Sequence, residues 1–127
     1  MNKTLAESWI DKAEEDYALA LVANRQRKTP LPNGVCYNCQ QCAEKYLKAY
    51  LISQSVVPRK THHLGGLLAE CINIESKFQS CLPYTTLLNA YSVDYRYPGM
   101  DATVAEAKDA VVAIRKMRRI VRRIMGL

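Results

Sequence analysis

Apolar residues recur every three or four positions through nearly the whole chain, and no stretch alternates apolar with polar residues as a half-buried strand would. That period admits only helices, and local punctuation divides them. Thr4-Leu5-Ala6-Glu7 has the pattern of a capping box and opens a first helix expected to run to about Asn24. RQRKTPLPNG follows as a loop, set by two prolines and a glycine. Asn33 is positioned to cap a second helix reaching about Ser53, and SVVPRK ends it. Thr61 is positioned to cap a third helix that carries Leu64, Leu67, Leu68, Cys71 and Ile72. Pro83 suits the first turn of a fourth helix bearing Tyr84, Leu87, Leu88, Tyr91 and Tyr95, which RYPG stops. A second capping box, Thr103-Val104-Ala105-Glu106, opens a last helix to about Met125. The expected fold is all-α: a single domain over residues 1–127, an antiparallel bundle of about five helices.

Charge is concentrated at one end. Residues 1–107 hold eleven basic and eleven acidic groups, so the formal net charge of +6 lies entirely in residues 108–127. There Arg115, Arg118, Arg119, Arg122 and Arg123 follow i, i+3, i+4, i+7, i+8, one continuous helical face. Ile114, Met117, Val121 and Ile124 form an apolar stripe beside it. Favourable interaction with the helix dipole accounts for one or two of these cations, not five. Three readings stand open: a solvated face, a grip on nucleic-acid phosphates, and a dock for an acidic protein partner.

Cys36, Cys39 and Cys42 stand three residues apart. On a helix each step of three turns about 300°, so the thiols share one broad face. Structural zinc wants four ligands, commonly from a loop that wraps the ion, whereas free cysteine packs as a small hydrophobe. The favoured reading is core packing, with no metal and no cofactor. No apolar run approaches the ~18 residues of a membrane span, and the acidic, amphipathic start MNKTLAESWIDKAEED is unlike a signal peptide. A cytoplasmic protein with reduced thiols is the expectation.

The stretch VCYNCQQCAEKYLKAYL resembles the QQAAEKALKALL helix of the HEPN domain family (higher eukaryotes and prokaryotes nucleotide-binding), with Cys39 and Cys42 where the family carries small residues. Gln40, Gln41, Glu44, Lys45 and Lys48 match that pattern. Trp9 and AEEDYALA are similar to the family's first helix, THHLGGLL at 61–68 to its THDLxxLL, and YSVDYRYPG at 91–99 to its aromatic Arg-Tyr-Pro segment.

The resemblance implies a helical bundle that forms a two-fold homodimer. It also implies binding of nucleotide or RNA and, in many members, metal-independent ribonuclease activity. Many bacterial members pair with a minimal nucleotidyltransferase as toxin and antitoxin. The family's nuclease motif is Arg, four to six residues, then His. Arg96 fits the arginine; with a four-residue gap the histidine position holds Asp101. Cleavage needs a base for the 2′-hydroxyl and a cation for the crowded phosphate. Arg96 and Asp101 are thus the catalytic candidates, and enzyme activity stays open because an ordinary carboxylate is a weak base at neutral pH. Candidates for nucleotide or RNA contact are Arg96, Tyr97, Asn38, Arg115, Arg119, Arg122 and Arg123. The other reading of the whole chain is a non-catalytic interaction module or adaptor for a nucleotidyltransferase.

Overall fold

A computed structural model describes residues 2–92 and 97–127. Among them are five α-helices and no strand: α1 (Leu5–Asn24), α2 (Pro32–Ser53), α3 (Leu64–Ile74), α4 (Leu82–Leu88) and α5 (Val104–Ile124). Short 3-10 turns, Ser76–Cys81 and Asn89–Tyr91, flank α4. Both expected capping boxes form. The Thr4 hydroxyl accepts from Glu7 N while the Glu7 carboxylate accepts from Thr4 N, and Thr103 and Glu106 repeat the exchange.

α2 is the central element and packs against α1, α3, α4 and α5. A helix so enclosed must be apolar all round or satisfy its polar groups internally. Val35, Cys39, Cys42, Ala43, Tyr46, Leu47 and Leu51 fill the core. α5 lays Ala107, Ala110, Val111, Ile114, Met117 and Val121 against that core, as its stripe requires. Phe78, from the turn after α3, packs on Tyr50 with ring centroids 4.5 Å apart.

Two caps differ from expectation, each because a tertiary partner takes the side chain. α2 starts at Pro32 with Leu31 as N-cap and no side-chain cap. Asn33 reaches across the fold instead: its Nδ2 donates to Asp101 Oδ1 at 2.9 Å, and its Oδ1 accepts from Ala102 N at 2.7 Å. α3 is capped by His63, not Thr61. His63 Nδ1 accepts from Gly66 N at 3.1 Å, while Thr61 Oγ1 accepts from His63 N at 3.0 Å. Gly65 makes room for this cap, since a Cβ there would stand 2.9 Å from the imidazole Cε1. The fourth helix is shorter than expected, ending at Leu88, and its stripe continues in the 3-10 turn that buries Tyr91. Tyr95 lies outside the described residues.

α2 ends in a left-handed turn. Ser55 N donates to Ile52 O and Val56 N donates to Leu51 O, both at 2.9 Å, the 5→2 and 6→1 bonds of a Schellman motif. Ser55 holds φ +61°, where glycine is the usual residue. Ser55→Gly is therefore expected to raise the unfolding free energy by about 1 kcal/mol, read from urea denaturation.

Candidate functional site

The five arginines of α5 do not form one uniform ridge. Arg118 turns inward: its Nε donates to Glu14 Oε2 at 2.7 Å and its Nη2 to Glu14 Oε1 at 2.5 Å, a bidentate pair across the α1–α5 seam. The Tyr46 hydroxyl donates to Glu14 Oε2 at 2.7 Å and accepts from Arg122 Nη1 at 3.1 Å. Arg122 Nη1 lies 3.6 Å from the same carboxylate. The Arg118 guanidinium covers the Tyr17 ring, 4.6 Å from its centroid. Hydrogen bonding from Arg118 above all, then from Tyr46, holds the Glu14 carboxyl below its ordinary range despite partial burial. Burial pushes the Tyr46 hydroxyl upward.

Arg115, Arg119 and Arg123 are exposed and have no ion pair among the described residues. They succeed one another at i, i+4, i+8, about 6 Å of helix rise per step. With Tyr17, Arg118, Arg122 and Leu127 they line an open groove of about 580 Å³ that has no Asp or Glu in its lining. Arg119 and Arg123 also border a second groove of about 370 Å³, shared with Lys77, Ser80 and Glu75. Arg118 thus forms, with Glu14 and Tyr17, a plate of ion-paired guanidinium and aromatic surface, and the outward three leave a row of positive charge with no ion pair among the described residues. Such a row holds phosphates by Coulombic attraction and counterion release.

The other candidates gather elsewhere. Asp101 is exposed and tied to Asn33 at the start of α2. Asn33 and Asn38 together line an apolar groove of about 540 Å³ with Leu19, Val22, Leu31 and Pro32. Asp101 is thus hydrogen-bonded to a residue of the groove that holds Asn38 without lining it, and no residue of this groove lines the arginine groove. Tyr97 is 64% exposed. Arg96, with Asp94 and Tyr95, lies outside the described residues. The two sets, Asp101–Asn33–Asn38 and the arginine row, are distinct places on the bundle.

Two features escape a reading of the sequence. Glu14 and Tyr17 meet the arginines of α5 from α1, Tyr17 lining the groove and Glu14 holding Arg118; their spacing of three on α1 was the available signal, but nothing local says which face meets α5. The second is a polar ladder inside α2. Gln40 Nε2 donates to His62 O at 2.9 Å, and Gln41 Nε2 donates to Gln40 Oε1 at 2.7 Å. Glu44 accepts from Lys48 at 3.1 Å and contacts His62 Nδ1 at 2.8 Å. These are residues of the QQ-x-x-EK-x-x-K pattern, and their work is to satisfy a buried helix and fasten the turn before α3 to it. Gln40, Glu44 and Lys48, four apart on one face, are the trace of the ladder in the sequence.

All five cysteines are buried. Burial pushes the Cys36, Cys71 and Cys81 thiols up to about 12, and moves Cys39 and Cys42 upward as well. Among the described residues no three His, Cys, Asp or Glu side chains stand close enough together to hold a metal ion. Thiolate is the reactive form, so all five thiols are expected to resist iodoacetamide at neutral pH in the native protein and to label fully in guanidinium, counted by mass spectrometry.

No helix among the described residues is long and apolar enough to cross a membrane. A family model described as "HEPN domain" matches residues 6–125. The fold is similar to that in the crystal structure of TT1696 from Thermus thermophilus, with a TM-score of 0.74 over 93% of this chain and 96% of that one, at 21% identity. That identity supports likeness of fold alone. No curated protein matches the chain.

Proposed function

The chain belongs to the HEPN domain family, and on that premise we propose that it binds RNA or nucleotide as the HEPN component of a pair with a minimal nucleotidyltransferase. The observation that carries the reading is the row Arg115, Arg119, Arg123, exposed and uncompensated beside the Arg118–Tyr17 plate. A folded surface that places three unpaired guanidinium groups in one groove incurs repulsion that a polyanion relieves. The protein acts in the cytoplasm, as a single domain, and as a homodimer.

Cleavage is the weaker half of the proposal. Arg96 supplies the cation for the scissile phosphate and Asp101 stands where the family's histidine is expected. Asp101 is exposed and hydrogen-bonded to Asn33. An exposed carboxylate lacks the desolvation that makes a carboxyl group an efficient base at neutral pH. RNA is therefore bound, with cleavage slow or lost.

A mixed RNA pool at moderate salt tests this with wild type, Arg96→Ala and Arg119→Ala/Arg123→Ala. Binding by the wild type, weakened in the double variant, supports the reading. Cleavage abolished only by Arg96→Ala would establish a nuclease and make Asp101→Asn the next variant. Absence of both binding and cleavage retires the RNA reading.

A second reading is favoured by the groove around Asn38. Leu19, Val22 and Leu31 are exposed there and line one groove together. Apolar residues clustered at one groove are suited to a protein interface. In this reading the protein is a helical adaptor, and the groove meets a second copy or the nucleotidyltransferase.

A further inference from the structure

A fourth groove lies at the other end of the α1–α2 pair and shares no lining residue with the arginine groove or with the one around Asn38. Its apolar wall is Leu5, Trp9, Ile52, Val56, Val57 and Pro58, and its volume is about 560 Å³. That lies within the roughly 300–1,000 Å³ range of small-molecule pockets. Leu5 is 64% exposed and Val57 90% exposed, although both are large and apolar.

The charge in this groove is of one sign. Lys48, Arg59 and Lys60 line it and no carboxylate does. Lys48 Nζ sits 5.8 Å from the centre of the Trp9 ring, with Glu44 behind it at 3.1 Å. Arg59 Nε is 3.3 Å from Glu70, and its side chain is largely exposed. Lys60 has no ion pair among the described residues. The apolar wall ends at the left-handed Ser55 turn, which sets the course of Val56 and Val57. Ser55 is the single non-glycine residue with positive φ among the described residues. Backbone held in that region by a residue with a side chain is often found where a ligand is clamped.

We propose that this groove binds a small amphipathic carboxylate, an aryl or medium-chain acyl acid. Its apolar body lies along Trp9, Ile52 and Val57, and its carboxylate meets Lys60 and Arg59 at the open rim. An apolar body removes the exposed surface of Leu5, Trp9 and Val57 from water. A single negative end matches a groove that has cations and no acid. A nucleic-acid strand, charged along its whole length, would leave the apolar wall uncovered, so this site is separate from the one proposed for RNA.

Trp9 is the only tryptophan of the chain, so its emission reports the site directly. Full-length protein is titrated with octanoate, 3-phenylpropionate, octanamide and acetate, with the amide NMR spectrum recorded alongside. Both larger acids are expected to bind saturably, octanoate roughly tenfold tighter than octanamide, and acetate not to bind. Arg59→Gln/Lys60→Gln is expected to erase the preference of octanoate over octanamide. Val57→Asp, at an exposed position that leaves the core untouched, is expected to weaken both acids. Equal affinity for octanoate and octanamide overturns the proposal. So does the absence of any saturable change, in Trp9 emission and in the amide spectrum, with either larger acid.

Discussion

Glu14→Ala is expected to lower the unfolding free energy by about 2–3 kcal/mol. One carboxylate accepts from Nε and Nη2 of Arg118 and from the Tyr46 hydroxyl, with Arg122 beside it. Removing it leaves two guanidinium groups and a phenol facing one another with no carboxylate between them. The cluster is only half-buried, which keeps the loss below that of a fully enclosed pair. Its pH dependence has a defined sign. The Glu14 carboxyl titrates below its ordinary value of 4.5 in the folded chain. Its contribution is therefore complete above about pH 4.5 and is lost as pH falls through the lower, folded value. The stability difference between wild type and Glu14→Gln, measured by urea unfolding, is expected to be full at neutral pH and to shrink in acid.

Arg115→Ala/Arg119→Ala/Arg123→Ala is expected to lower RNA affinity by about two orders of magnitude at moderate salt. It is also expected to flatten the slope of log K against log salt by about 2, since each single-strand phosphate contact contributes roughly 0.7. Stability is expected to change by no more than about 0.5 kcal/mol, because the three side chains are exposed and hold no partner among the described residues. This pairing of outcomes separates the row from Arg118, whose removal would disturb Glu14 and Tyr17 as well as any ligand. Fluorescence anisotropy with a labelled RNA pool, beside urea unfolding of the same variant, measures both.

The legible parts of the fold are those whose causes are local. Thr4 and Thr103 cap helices because a carboxylate three residues on completes the exchange within one turn. The same local rule points to Asn33 and Thr61, yet there the competing partner is remote or unexpected. Asp101 and Ala102, far along the chain, claim Asn33, and the His63 ring takes the cap of α3 while Thr61 steadies it. Cysteine spacing on a broad helical face leads directly to buried packing, as found for Cys36, Cys39 and Cys42. Tyr91 follows the same logic: it is buried, and its hydroxyl donates to Glu106 Oε2 at 3.1 Å.

The candidate site was half legible. Period 3.6 places five arginines on one face of α5, but it cannot divide them, because the partner of Arg118 and Arg122 is 104 residues away from Arg118 on α1. The polar ladder of Gln40, Glu44 and Lys48 was hidden for the opposite reason. Its residues look like a solvated helical face, and only the enclosure of α2 by four other helices turns them inward.

The proposed RNA contact is tested most directly by photocrosslinking 4-thiouridine-substituted RNA to the full-length protein and mapping the modified peptides. Adducts on Tyr17 and on the segment 115–127, lost in Arg115→Ala/Arg119→Ala/Arg123→Ala, are the expected result. No adduct, or adducts confined to surfaces away from α5, would contradict the assignment of RNA to the arginine groove.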